Sequence, residues 1–431
     1  MRGSTKRIVL ALVSVLFLLS LSDAVSADEV ARPTEVKSKR QVIYDSETYG
    51  KLKDMWKKYY DEYPSEYAYA NWMYAARYAE DRDYSKLLDR GLKKYPANPT
   101  LLYLRGIEHL GMHGDAESRG YLERAVALDE NYVDPWFPLV TFYMDMGDEE
   151  RVNLALRRIL ESGIITDEVM DYNYNVLLSL DDNAILITNG DNDTYPGWIL
   201  TRVLGVRPDV AIVNRSLLNT EWYPPYVIEH SVPRFIGREE LTSLRNSLLS
   251  KSKGAAPSPG GLFGDTLVVR IIESAERSGR PVYLAKTVYV SEMLRGVFAN
   301  GRDLGLVTLV TPSQAPFADQ LHQVYGKWLS SFRTGGLESW RLKEAPATDA
   351  GKVMMCNYAA GLTENLKALK QYAPDLRAEL FRWYTQYIEG VLSDDMRSKE
   401  AMAWCCSASD VKEIDAWSKR QGIKCEEPVK P

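Results

Sequence analysis

Histidine and cysteine are both scarce, at four each in 431 residues. The histidines, His109, His113, His230 and His322, come without a Cys-x-x-Cys pair, and a zinc site is not expected. Charge of one sign is lacking too. Lys and Arg number 53 against 59 Asp and Glu, and the net of −6 supplies no field for drawing in a phosphate backbone or an anionic bilayer. No nucleic acid partner is expected. The glycines at 254, 260, 261 and 264 do not have the spacing of a dinucleotide or phosphate loop, and read as a surface loop or a lid. No serine sits in a nucleophile elbow, and Cys356 has no identifiable base.

Long apolar runs are confined to the beginning of the chain. The most apolar later stretch, Asn183 to Leu218, is interrupted by Asp191, Asp193, Arg202, Arg207, Asp209 and Arg215, at costs a bilayer interior would not tolerate. No membrane span is expected in the mature chain. At the start, Arg2, Lys6 and Arg7 precede the apolar run Ile8 to Leu21, and Val25-Ser26-Ala27 offers small residues for cleavage before Asp28. Residues 1–27 thus read as a signal peptide, with an uncleaved anchor as the alternative, and the mature chain is expected to be periplasmic or extracellular. Such an address permits disulfides. Cys405 and Cys406 are adjacent and poorly placed to pair together, so a staple from one of them to Cys356 or Cys425 is expected, against free buried thiols.

What is present is ordinary globular material. A hydrophobic fraction of 45%, 10 Trp and 27 Tyr can build substantial cores, and the length calls for two or three domains. After a polar leader over 28–40, the residues Tyr49, Leu52, Met55, Trp56 and Tyr59 recur at helical spacing until Pro64. Pro96 follows Pro64 by 32 residues, and the acidic turns at Asp83, Asp115 and Asp148 recur at 32 and 33. This period marks a two-helix repeat. Asn71-Trp72, Arg105-Gly106 and Leu139-Val140 fall at the close-packing point of the first helix, and Gly91, Ala125 and Ile159 at that of the second. Leu102-Tyr103-Leu104-Arg105-Gly106 and Tyr121-Leu122-Glu123-Arg124-Ala125 resemble the tetratricopeptide repeat, and the array is assigned to 41–165. Its concave face could meet a partner or serve as scaffold. Trp56, Trp72 and Trp136 read as core.

From Ala184 the periodicity changes. The runs 184–188, 210–214, 281–285 and 306–310 read as buried strands, with helices between them stopped by Gly205 and Gly279, and with Asp265 as a helix cap. The fold class is therefore a helical-repeat array followed by an α/β domain over 166–345. Its open, mostly parallel, Rossmann-like sheet is covered by helices, and a helical region follows over 346–431.

In such sheets the loops leaving the C-terminal ends of the strands line the crevice. Asn189, Asp191, Asn192, Asp193 and Thr194 have that address, as do Asn214, Asn219, Glu221 and Lys286, and these are the expected ligand-binding residues. Asp191 and Asp193 flank Asn192 directly after a strand and could hold sugar hydroxyls or a divalent cation, Mg²⁺ or Ca²⁺; no other cofactor is expected. The alternative is that either aspartate caps the following helix while the asparagines satisfy the turn backbone. No catalytic residue is assigned.

The string Asp182-Asn183-Ala184-Ile185-Leu186-Ile187-Thr188-Asn189-Gly190-Asp191-Asn192-Asp193-Thr194-Tyr195-Pro196 closely resembles the soluble C-terminal region of bacterial protein O-mannosyltransferase-like membrane proteins. Gly205-Val206-Arg207-Pro208-Asp209-Val210, Asn214 to Tyr223, Arg280 to Val288 and Gly305 to Pro312 extend the resemblance in order, and Tyr172-Asn173-Tyr174-Asn175 precedes it, so that it covers 168–315. In those relatives sugar transfer from a lipid carrier is attributed to the membrane portion, whose acidic catalytic loop has no counterpart here. The resemblance therefore implies an accessory part, not the transferase. Gly197, Arg215 and the insertion near Gly254 depart from the relatives. The leading functional reading is an exported protein that binds a glycan or an exported polypeptide, accessory to cell-envelope glycosylation. A soluble sugar- or phosphoester-processing enzyme using the Asp pair and a purely structural repeat protein are the alternatives.

Overall fold

The computed structural model describes residues 30–108, 116–251 and 262–423; the expected signal peptide, Asp115, the glycines at 254, 260 and 261, and Cys425 lie outside them. The described residues divide into two compact units, 30–36 with 45–96, and 37–44 with 97–423.

The first unit contains α1 (Ser46–Glu62), α2 (Glu66–Tyr78) and α3 (Tyr84–Lys94). Asp45 accepts from Thr48 N at 2.7 Å and Ser65 from Ala68 N at 3.2 Å, satisfying amide donors that the first helical turn leaves open. Pro64 separates the two helices. The leader is tied down here: Trp56, fully buried, donates its indole N–H to Thr34 O at 3.0 Å, and Asn71 Oδ1 accepts from Val36 N at 2.9 Å.

The second unit begins with α4 (Pro99–Gly106), α5 (Ala116–Leu128), α6 (Trp136–Asp145) and α7 (Glu149–Glu161), in which α4 packs on α5 and α6 on α7. Gly106 shows why a small residue is needed at the crossing. A Cβ there would lie 2.7 Å from Leu122 Cγ. Trp72 and Trp136 are buried, as expected of core residues.

Helix α8 (Asp167–Leu178) leads into the sheet, whose strands are β1 (Ile185–Thr188), β2 (Ala211–Asn214), β3 (Val282–Ala285), β4 (Arg302–Asp303) and β5 (Val307–Leu309) in the order β2-β1-β3-β5-β4. Between them run α9 (Asp191–Trp198), α10 (Tyr223–His230), α11 (Arg238–Lys251), α12 (Leu262–Arg277) and α13 (Glu292–Asn300). The helical region is thus followed by an open sheet flanked by helices, as expected. β1 pairs in parallel with β2 (Leu186 beside Ile212) and with β3 (Leu186 beside Tyr283). The pairing of β5 with both β3 and β4 is antiparallel. The reason is β4, two residues that no periodicity marks. It forms a hairpin with β5 around Gly305 (φ +87°), and β5 then lies between β4 and β3, running against both.

Gly205 and Gly279 both take φ near +67°, the left-handed turn expected at these helix ends. Asp265 is not a helix cap. It is buried in the first turn of α12 and receives Arg215 Nε at 2.6 Å, so two charges taken out of water are paired with each other.

The chain finishes with α14 (Phe317–Ser330), α15 (Trp340–Glu344), α16 (Ala350–Thr363), α17 (Leu366–Tyr372), α18 (Arg377–Tyr387), α19 (Asp394–Ala408) and α20 (Lys412–Arg420). The cross-link expected from Cys356 is corrected: Cys356 and Cys406 are both thiols, no two of the described cysteines are bonded to one another, and Cys425 lies outside the described residues. Cys356, half-buried, is separated from the adjacent cysteines of α19 and turns its thiol to Lys352 O and to Met396 Sδ, 3.5 Å away. Aromatic packing holds these helices together, with the Trp328, Tyr358 and Trp383 rings between 5.3 and 5.7 Å apart. Among the described residues no helix is long and apolar enough to cross a membrane.

Candidate functional site

Every residue of β1 is buried, and with β2 on one side and β3 on the other the strand delivers Asn189 to Thr194 at its C-terminal end. Helix α9 begins at Asp191, earlier than the residue pattern suggests, because Asp193 closes the turn from within. Its carboxylate accepts from Asn189 N and Gly190 N, both at 2.8 Å, and from the hydroxyl of Thr287 after β3. Burial pushes the Asp193 carboxyl up, against hydrogen bonds from Thr287, Asn189 and Gly190 that pull it down.

Around it lies a closed polar network. Thr194 Oγ1 is 2.7 Å from Thr188 Oγ1 and accepts from Asn214 Nδ2 at 2.8 Å, while Asn214 Oδ1 accepts from Leu217 N at 2.8 Å. Asn189 Oδ1 takes Arg215 Nη1 at 3.2 Å, which ties the turn to the buried Arg215–Asp265 pair. One further feature extends the network to α8. Pro196, inside α9, has no N–H to give the carbonyl four residues back, and Asn173 Nδ2 serves that carbonyl of Asn192 at 2.8 Å instead.

The remaining expected residues sit elsewhere. Asn219 Oδ1 accepts from Gly264 N at 3.0 Å and Glu221 meets Arg245 Nε at 3.3 Å, so both join the β2 loop to neighbouring helices. Lys286 is held between Asp303, at 3.0 Å, and Glu364. Burial opposes its charge, the two carboxylates outweigh that, and its pKa is raised.

Asp191 differs from Asp193 in kind. It is half-exposed and turned outward to Arg40, with which it forms an ion pair. Arg40 belongs to the strap of residues 37–44, which is bound to the same unit: Ile43 N donates to Thr348 O at 2.8 Å, Ala350 N to Gln41 O at 3.0 Å, and Ser38 Oγ to Asp134 Oδ1 at 2.6 Å. The guanidinium lies 4.3 Å over the Phe137 ring and 5.8 Å from that of Tyr195. Between strap, turn and α15 is a cavity of about 410 Å³ with Arg40, Asp191, Asn192, Phe137, Arg341 and Glu344 on its walls. Arg341 is itself oriented by Asp349 at 3.0 Å and by the buried Glu168.

The structure therefore brings Asp191 and Asn192 to a cavity and places Asn189, Asp193, Thr194 and Asn214 behind it as the frame that fixes the turn. Arg40, Arg341 and Asp349 have no distinguishing pattern in the sequence. The one signal is the basic run Lys37-Ser38-Lys39-Arg40 inside a leader that otherwise reads as polar linker. Among the described residues no group of three or more His, Cys, Asp or Glu side chains is arranged to hold a metal ion.

With this geometry in view, the likeness to known proteins is local. A family model described as TMEM260-associated domain 2 matches residues 169–227, from α8 through β1, α9 and β2 into α10. The match contains the whole turn and the β2 loop, stops short of Lys286, and excludes Arg40 and Arg341. Over so small a share of the chain it supports a distant relationship and no more. No curated protein and no solved structure matches the chain.

Proposed function

We propose that this chain is an exported binding and assembly protein, accessory to cell-envelope glycosylation, whose α/β unit recognises a glycan in the cavity beside the β1–α9 turn. The observation that carries this reading is the composition of the cavity wall. Asp191, Asn192, Arg40, Arg341 and Glu344 present carboxylate, amide and guanidinium groups around about 410 Å³, with Phe137 and Val42 supplying apolar surface. Side chains with several acceptors and donors in fixed orientation suit vicinal hydroxyls, and the volume falls within the roughly 300–1,000 Å³ of small-molecule sites. Orientation is provided from behind, by the buried frame of Asp193, Thr194 and Asn214 and by the Glu168–Arg341–Asp349 network. The resemblance of 168–315 to the soluble part of mannosyltransferase-like proteins favours a sugar ligand over other polyols.

Binding is favoured over acid–base chemistry by the Asp pair. Asp193 spends its oxygens on two backbone amides and two hydroxyls, so it has no face left for a substrate. The test is a glycan-array screen of the purified mature chain, followed by titration of Asp191→Asn and Arg40→Ala with circular dichroism to verify folding. Specific binding that weakens about tenfold or more in the folded variants is expected. A folded wild-type chain that binds nothing on the array, or variants that bind as well as wild type, would overturn the reading.

A further inference from the structure

The chain has ten tryptophans, and Trp340 alone is exposed, with 76% of its surface in water. Eight of the others are buried and Trp222 is half-buried. An indole is the largest apolar side chain, so holding one in water on an ordered helix forgoes burial that the rest of this protein exploits throughout.

Its position is defined by α15. Leu342, fully buried, pins that helix to the unit, while Arg341 and Glu344 line the cavity. Trp340 and Glu344 are four residues apart and therefore share a helix edge. Trp340 does not itself line the cavity; it lies one helical turn from Glu344, which does.

We infer that Trp340 forms a second subsite, and that the ligand is an oligosaccharide of at least two pyranose rings. This rests on the glycan reading above. One ring occupies the cavity among Asp191, Arg40 and Arg341. The next lies with its apolar C–H face on the exposed indole and its hydroxyls within reach of Glu344. The cavity supplies the hydrogen bonds that select a sugar, and the indole supplies a flat apolar platform outside it, larger and more open than the Phe137 ring, one face of which is taken by Arg40. Chain length, rather than the identity of a single ring, is what Trp340 reads.

The experiment is calorimetric titration of the full mature chain and of Trp340→Ala and Trp340→Phe with mannose, glucose and N-acetylglucosamine, each as a series of one, two and three linked rings. For the series that binds, wild-type affinity rises at least about tenfold from one ring to two. In Trp340→Ala the single ring binds as in wild type and the rise is lost; in Trp340→Phe it is partly retained. Tryptophan emission shifts on adding the two-ring ligand to wild type and does not shift in either variant. Equal chain-length dependence in wild type and Trp340→Ala overturns this inference and leaves the glycan reading standing. Failure of all three series to bind folded wild type overturns both.

Discussion

The side-chain amide of Asn173 donates to the backbone carbonyl of Asn192 at 2.8 Å, filling the place of the N–H that Pro196 does not have. Two segments about twenty residues apart in sequence are thereby locked together at the mouth of the sheet. Asn173 also donates to Val169 O, at 2.8 Å, so its amide bridges α8 and the turn.

Asn173→Ala leaves that carbonyl unserved and should cost about 1–3 kcal/mol of unfolding free energy. Urea denaturation followed by circular dichroism measures it. An additional Pro196→Ala change restores the missing N–H and should recover part of the loss, whereas an Asn173 that acted only by packing would show no such rescue.

Gly336 is a second junction with α8, and it is tighter. Its N–H donates to Asp171 Oδ2 at 2.9 Å, and a Cβ would collide with the backbone of Asp167 and Glu168. Gly336→Ala should therefore destabilise more than Gly106→Ala, whose nearest obstacles at 2.7 Å are the side-chain atoms Cγ and Cδ2 of Leu122, with backbone reached only at Ser118 O, 3.0 Å away. Thermal melts of the two variants compare them directly; equal melting temperatures would contradict the reading.

Alkaline stability follows from buried phenols. Burial pushes Tyr195 up to about 12, and Tyr143 and Tyr226 likewise to about 12, from an ordinary value of 10.0. A folded-state value above the unfolded one stabilises fully below pH 10 and is lost as pH rises toward 12. Unfolding free energy should thus decline across that window. Tyr195→Phe should make the decline shallower while removing the hydrogen bond to Phe137 O, at 2.9 Å, for a loss near neutrality of about 1 kcal/mol. Denaturation at a series of alkaline pH values, with absorbance of the ionised phenol recorded in parallel, tests both parts.

The Arg40–Asp191 pair should matter to ligand binding and little to folding. The Asp191 side chain is 53% exposed and that of Arg40 22%, and a pair open to water on its carboxylate side contributes on the order of 0–1 kcal/mol. Asp191→Asn is expected to unfold at nearly the wild-type urea concentration. A large drop would mean that the pair holds the strap in place, which would make it a structural contact.

Much of the layout is written locally. A strand such as Ile185 to Thr188 announces itself because four consecutive apolar or β-branched residues have only a buried sheet position to occupy. Gly205 and Gly279 announce helix ends because their backbone conformation excludes most other residues. β4 was not legible, since two residues, Arg302 and Asp303, carry no period, and their hairpin is what sets the direction of β5.

The candidate site divides along the same line. That an acidic turn follows a buried strand can be read from the residues alone, since hydrophobic runs and turn residues act over a few positions. Which aspartate faces outward is fixed in the folded chain, because that depends on donors from distant segments. Thr287 and two backbone amides claim Asp193, while Arg40, 151 residues before it along the chain, claims Asp191. Hydrogen bonds and ion pairs between segments so far apart leave no periodic trace, and are set only when the strap and the sheet have packed around one another.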